Sequence, residues 1–266
     1  MPTLVTSAGN PVVKRMRLLA DRKYRRREGA FLVEGIQPVW QAVEAGADIE
    51  VLVAAPGLLG RSAARDMVAG QELAGTRVTR VSDDLFRRLS GREGPSGLAA
   101  IVRTAPPALA GLSVGTGSVF VALHEVANPG NLGTIIRTAS ATGVAGVLLL
   151  GMSTDPYDPA AVKASMGALF SVPVCPAGTE EFFSWARGAG VSVVTASARA
   201  SDSFWEAPYP RPLAVLLGSE GTGLPDEVLA RGDLAVRIPM VGTAESLNLA
   251  VAAGVLLYEL RRRMEG

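Results

Sequence analysis

Six short runs in the second half of the chain, "SVFVALHEV", "AGVLLLG", "VPVCPA", "VSVVTAS", "LAVLLGSE" and "LAVRIPM", read as strands, and several of them are apolar almost without interruption. A strand with one wet face alternates apolar and polar residues, whereas a strand covered on both faces has no need to. Helical patterns such as "NLGTIIRTASATG" and "EEFFSWARGAG" separate most of these runs. The arrangement predicts an α/β fold with a parallel sheet and helices on its faces.

The first half reads differently. A basic stretch over residues 1 to about 30 predicts a helix, followed by a strand around Phe31 to Val33 and a helix from Val39 to Ala45. "IEVLVAA", "TRVTRVS" and "GLAAIVRT" are further strand candidates, with helical patterns at Arg61 to Ala69 and Asp83 to Leu89. We therefore expect a smaller α/β domain over residues 1–105, a linker rich in proline, glycine and small residues over 106–117, and a second domain over 118–266.

Charge separates the halves further. Residues 1 to 105 carry 16 Lys+Arg against 11 Asp+Glu, and the remainder 10 against 14, which together give the net charge of +1. Within the first half, "KRMRLLADRKYRRREG" gathers Lys14, Arg15, Arg17, Arg22, Lys23, Arg25, Arg26 and Arg27. A run of this kind attracts phosphates and makes affinity salt-dependent, although a merely solvated helix face has the same composition. We take Lys14, Arg15, Arg22, Lys23, Arg25, Arg26 and Arg27 as candidate nucleic-acid contacts.

Several chemistries are excluded by composition. One cysteine, Cys175, cannot form a disulfide within the chain, and with one histidine, His124, no Cys/His zinc set is available. No metal is expected. The apolar runs are shorter than the roughly 20 residues of a membrane span, and the polar start lacks a signal-peptide core, so a cytoplasmic protein is expected.

In open α/β sheets, ligands bind beyond the carboxyl ends of strands. Three loops there stand out. "NPGNLGTIIRTA" turns into a helix that carries Asn131 and Arg137, and a cation so near a helix start is poorly placed for the helix dipole, so that either an anion from outside or a surface carboxylate of the chain is its expected partner. "LLGSEGTGLP" has three glycines around Glu220 but matches neither a dinucleotide fingerprint nor a phosphate-binding loop. "IPMVGTAESLNLAVAAGVLLYE" places Ser246 and Asn248 at a helix start, where serine is commonly an N-cap and Asn248 would be solvated.

Together, in this order, the three loops resemble the three motifs of the SpoU (TrmH) family of RNA ribose 2′-O-methyltransferases, of the SPOUT superfamily. "FLVEGIQPVWQAVEAG" and "GPSGLAAIV" are similar to that family's small RNA-binding substrate domain, and "AVKASMGALFSVPV" also fits. One departure is Asn128, where many members have Asp.

The resemblance implies a trefoil knot in the C-terminal domain and S-adenosylmethionine as methyl donor. It implies cofactor contacts from Thr195, Ala196, Ser197, Leu217, Gly218, Ser219, Ile238, Met240, Ser246 and Leu247, and catalytic roles for Arg137, Asn131, Glu220, Ser246 and Asn248. It assigns Arg137 the role of base. Because a guanidinium is effectively always protonated, a clamp on the neighbouring phosphate that lowers the hydroxyl's pKa is the alternative. The expected substrate is ribosomal RNA, 23S in particular, with tRNA or a non-catalytic role in ribosome assembly as alternatives. A homodimer through the C-terminal domain is also implied, with Leu249, Val251, Ala252, Val255 and Leu256 expected as the packing face of the last helix.

Overall fold

The computed structural model describes residues 4–60, 63–90 and 94–265. It divides into two compact units. One takes the chain up to Ala105 together with Tyr157–Ser171, and the other takes Pro106–Pro156 and Val172–Gly266.

In the first unit the basic stretch forms two helices rather than one, α1 (Pro11–Leu18) and α2 (Arg22–Glu28). Asp21 makes the break, because its carboxylate accepts from Lys23 N at 2.7 Å and caps α2. Then follow β1 (Ala30–Glu34), α3 (Ile36–Glu44), β2 (Ile49–Ala54), α4 (Pro56–Leu59), α5 (Ala63–Leu73), β3 (Val78–Arg80), α6 (Asp83–Leu89) and β4 (Leu98–Arg103). The start of the helix expected from Arg61 lies outside the described residues. The sheet order is β1-β4-β2-β3, with only β2 and β3 parallel. Strand alternation sorts its two faces: Ala99 and Ile101 pack with Val13, Met16 and Phe86, while Leu98, Ala100 and Val102 pack with Phe31, Val39 and Val68.

The second unit begins with the expected linker, which is no free tether: Leu109 is buried in this unit's core. After it come β5 (Val119–His124), α7 (Pro129–Thr142) and β6 (Gly146–Leu150). Next along the chain is α8 (Pro159–Ser165), in the segment that groups with the first unit, where Val162 joins the cluster around Phe31 and Tyr157 packs at a tilt against that ring, centroids 4.5 Å apart. The sequence reading had no helix there. The chain returns through β7 (Val174–Ala177), α9 (Thr179–Gly188), β8 (Ser192–Ala196), β9 (Asp202–Ser203), β10 (Leu213–Leu217), α10 (Asp226–Leu229), β11 (Leu234–Arg237) and α11 (Leu249–Glu265).

All seven strands of this sheet run parallel in the order β7-β6-β5-β10-β8-β11-β9. The near-continuous apolar runs have the predicted cause: β5, β6 and β10 are buried along their whole length. One face packs against Phe182, Phe183 and Ala186 of α9. α11 packs against α7, a return of the chain end consistent with the knot that the resemblance implies. Along α11 the buried residues are Leu249, Ala250, Ala253, Leu256, Leu257 and Leu260, whereas Val251, expected in that face, is half exposed.

Candidate functional site

The strand order fixes where a crevice opens. From β5 the chain crosses to β6 on one side, while from β10 it proceeds to β11 on the other, so the loops after the adjacent strands β5 and β10 diverge. The first of these loops leaves β5 through Glu125, a non-glycine residue with φ 54°. It then enters α7 through Asn128, whose Oδ1 accepts from Gly130 N at 2.8 Å and Asn131 N at 3.2 Å. An amide oxygen therefore does the capping here, and no carboxylate is needed at that position.

The loop after β10 folds back on itself: Ser219 and Gly223 exchange backbone hydrogen bonds at 3.2 Å in both directions. This gives Gly218 its reason. A Cβ there would lie 2.1 Å from the carbonyl carbon of Gly223, so the glycine serves the loop's own closure rather than a ligand's approach. The closure presents Glu220 across the crevice, where its carboxylate accepts from Ala127 N and Asn128 N, each at 3.3 Å, and from Asn131 Nδ2 at 3.1 Å. Burial pushes the Glu220 pKa up, but these bonds and one from its own backbone N–H outweigh it and hold the carboxyl below its ordinary range.

The third loop joins the same network. Asn248 Nδ2 donates to Asn131 Oδ1 at 3.1 Å, and Asn248 Oδ1 accepts from Ala250 N at 2.9 Å and Val251 N at 3.4 Å. Asn248 is thus the N-cap of α11, a position for which Ser246 was the sequence candidate. Glu220, Asn131 and Asn248 form one chain in which each amide is oriented by its neighbour, so three loops spread over the second unit are tied together.

Beside this chain lies a cavity of about 320 Å³ beyond the carboxyl ends of β8, β10 and β11. Of the residues expected at a cofactor, Ala196, Ser197, Leu217, Gly218, Ser219, Ile238, Met240, Ser246 and Leu247 line it. Thr195 does not. It is fully buried, and its Oγ1 donates to Leu234 O at 3.3 Å, which makes it a bond between neighbouring strands. The cavity also takes in Leu256, which the sequence reading had placed only on the packing face of the last helix, and Arg199 and Glu245, which it passed over. Spacing gave no signal for them, since each follows from how the loops fold.

Arg137 is not in the network. It is exposed on α7 and has no hydrogen bond or ion pair among the described residues. Six residues after Asn131, it sits about two-thirds of a turn round the helix from it. Among the candidate RNA contacts, Arg25 is buried and donates to Leu19 O at 3.1 Å and Ala20 O at 2.7 Å, with Asp158 at 3.4 Å. Arg15 is bound to Glu28 and Glu50, and Arg27 lies over the Tyr24 ring at 4.6 Å. Lys14, Arg22, Lys23 and Arg26 are exposed without ion pairs among the described residues. Cys175 is buried, its thiol pushed up to about 11 by that burial. Among the described residues there is no group of metal-ligating side chains, and no helix is long and apolar enough to cross a membrane.

The profile of the SpoU rRNA Methylase family matches residues 118–258, and that of an MRM3-like substrate binding domain matches residues 10–100. The chain is similar to a 23S rRNA (guanosine(2553)-2′-O)-methyltransferase of Bacillus subtilis, with 29% identity over 97% of this chain and 98% of that one. It is 32% identical to a 23S rRNA (uridine(2479)-2′-O)-methyltransferase of Streptomyces viridochromogenes, over 94% of this chain and 88% of that one. A crystal structure of an AdoMet-bound rRNA methyltransferase from Sinorhizobium meliloti superposes with a TM-score of 0.90 at 37% identity, covering 98% of both chains. Matched over more than half its length, with its three site loops on one crevice, the chain belongs to the SpoU rRNA methylase family.

Proposed function

We propose that this protein transfers a methyl group from S-adenosylmethionine to a ribose 2′-hydroxyl of ribosomal RNA, 23S rRNA being the substrate that its relatives' activities favour. The observation that carries the reading is the Glu220–Asn131–Asn248 chain, which joins all three motif loops beside one cavity. The cavity fits the cofactor in size and chemistry. Leu217, Ile238, Met240 and Leu247 supply apolar walls for a flat base, Ser219 and Ser246 supply hydroxyls, and Glu220 and Glu245, against the one Arg199, favour a ligand bearing positive charge.

When bound, S-adenosylmethionine supplies an electrophilic methyl group. The chain's own residues then have three tasks. Glu220 orients Asn131, and Asn131 fixes the Asn248 amide, so polar groups on α7 and at the start of α11 are aligned before RNA arrives. Arg137, without an internal partner, is free to bind the phosphate next to the target ribose. Its positive charge there favours loss of the 2′-hydroxyl proton. Its exposed setting supports the role of clamp over that of base. Ser246 lines the cavity wall, which supports a role for it in holding the cofactor or the ribose.

The exposed cations Lys14, Arg22, Lys23 and Arg26 are the part of the basic segment that reads as an RNA contact. A homodimer through the second unit is supported by α11, where Val251, 51% exposed, and Tyr258, 58% exposed, fall seven residues apart on one face. Work on ribosomal RNA would place the protein in the cytoplasm. Calorimetric titration with S-adenosylmethionine tests the central reading: about one site per chain, competed by S-adenosylhomocysteine, is expected, and absence of binding at millimolar ligand overturns it.

A further inference from the structure

A second cavity, of about 450 Å³, lies wholly within the first unit, along the edge strand β1 and between α1, α6 and α8. Its walls are apolar. Met16, Leu32, Leu89 and Val162 line it, and they are aliphatic surfaces between which a flat ring can lie. Two cations, Arg17 near the end of α1 and Lys163 near the end of α8, stand exposed on the same cavity with no ion pair among the described residues. A helix dipole accounts for one cation at a helix end. It does not account for two helices from distant parts of the sequence bringing unpaired cations to one apolar groove.

The third element is an oriented acceptor. Glu34, at the end of β1, lines the groove, and Ser90 donates its hydroxyl to Glu34 Oε1. Glu34 Oε2 has no partner among the described residues. A carboxylate only accepts hydrogen bonds. On its Watson–Crick edge guanine presents two adjacent donors, N1–H and the N2 amine, which match a carboxylate. Adenine and cytosine set an acceptor beside their amine, and uracil flanks its one N–H with two carbonyls.

We propose that this groove holds one unpaired nucleobase of the RNA substrate, guanine in preference to the others, with the base against the aliphatic walls, its donor edge on Glu34 and the flanking phosphates on Arg17 and Lys163. The proposal rests on the reading of the substrate as RNA. The groove is of the size that takes a single small ligand and does not admit a duplex. It thereby gives the first unit a means of reading sequence, which phosphate contacts by themselves lack.

Binding of labelled heptanucleotides, oligouridylate with guanosine, inosine, adenosine or uridine at the centre, to the full-length protein tests it by fluorescence anisotropy. Guanosine should bind about tenfold tighter than uridine, with inosine, which lacks the N2 amine, between them. Glu34→Gln should bring guanosine to within about twofold of uridine by removing the acceptor-only edge. Ala160→Trp, which fills the groove from an exposed position on α8, should do the same, and it decides the matter if Glu34→Gln fails to fold. Joint replacement of Arg17 and Lys163 by alanine should weaken all four probes alike and flatten the salt slope by about 1.4, at about 0.7 per phosphate contact.

Equal binding of the four probes by the wild type, or a guanosine preference that survives both Glu34→Gln and Ala160→Trp, overturns the proposal. So does an Ala160→Trp variant whose only change is in oligomeric state, since the groove would then hold a second copy. Calorimetry with S-adenosylmethionine on the same preparations keeps the two readings apart. Cofactor binding without base preference sinks the groove alone, and base preference without cofactor binding sinks the methyltransferase alone.

Discussion

The site loops of the second unit and the basic segment of the first use charge in opposite ways. In the loops, the one carboxylate and the two amides expected to act are consumed by one another, and the expected cation, Arg137, is left without a partner. In the basic segment the abundance of cations is misleading. Arg15 and Arg25 are spent on internal carboxylates and carbonyls, and Arg27 lies on an aromatic ring. A cation's availability, not its place in a charged run, decides whether it can meet RNA.

The largest effect should come from Arg137, the cation proposed for the site. Arg137→Ala is expected to lower methyl transfer by about a hundredfold or more while leaving S-adenosylmethionine affinity within a few-fold. Arg26→Ala, one free cation among several, should lower it less than about tenfold at subsaturating RNA and flatten the salt slope by about one unit. Similar losses from the two variants in single-turnover assays would erase the distinction between the regions.

Next in size is the latch. Glu220→Gln keeps an acceptor for Asn131 but offers the backbone amides of Ala127 and Asn128 one oxygen where two had served. We expect a loss of about tenfold or more in turnover, with the RNA salt slope unchanged. An unchanged rate would mean that the three loops hold their geometry without the carboxylate.

Within the basic segment, Arg25→Ala and Arg26→Ala should separate in the other direction. Removing Arg25 leaves the carbonyls of Leu19 and Ala20 without their donor and should lower stability by about 2 kcal/mol, whereas Arg26→Ala should leave the denaturation midpoint in place. Equal midpoints would return Arg25 to the solvated face that the sequence alone suggests.

The smallest effect is with pH. The Glu220 carboxyl is held below its unfolded value of about 4.3, so its contribution to the closed loops is complete above that value and is lost as pH falls through the lower folded one. Cofactor affinity should therefore be flat from neutral pH to about pH 5 as far as Glu220 is concerned, fall below about pH 4.3, and lose that fall in Glu220→Gln. A fall already near pH 6 would assign the latch to another group.

What was readable from sequence follows the same division. The strands β5, β6 and β10 announce themselves because burial on both faces demands continuous apolar residues, whereas the two-residue β9 has no such run and was not read. Asn131, Glu220 and Asn248 lie in loops after strand ends, but their expected roles came from the resemblance of those loops to the family's motifs. Tertiary roles were not readable. Nothing local marks Val162 as part of the first unit's core, Thr195 as a strand-to-strand bond, or Gly218 as the closure of its own loop. The split at Asp21 was in principle visible, since an aspartate two residues before a backbone donor is a common cap. The Ser246 and Asn248 assignment turned on which of two capping residues the helix start would choose, and propensity does not separate them.

The central claim is that one crevice, latched by Glu220, Asn131 and Asn248, methylates a ribose hydroxyl in ribosomal RNA. Its most direct test is to incubate the purified protein with unmodified 23S rRNA and isotopically labelled S-adenosylmethionine, digest the RNA to nucleosides and identify the labelled product by mass spectrometry. The account predicts a single 2′-O-methylnucleoside whose label lies on the sugar fragment, absent with Arg137→Ala. Label on the base fragment, or no labelled nucleoside from a protein that binds the cofactor, would contradict it.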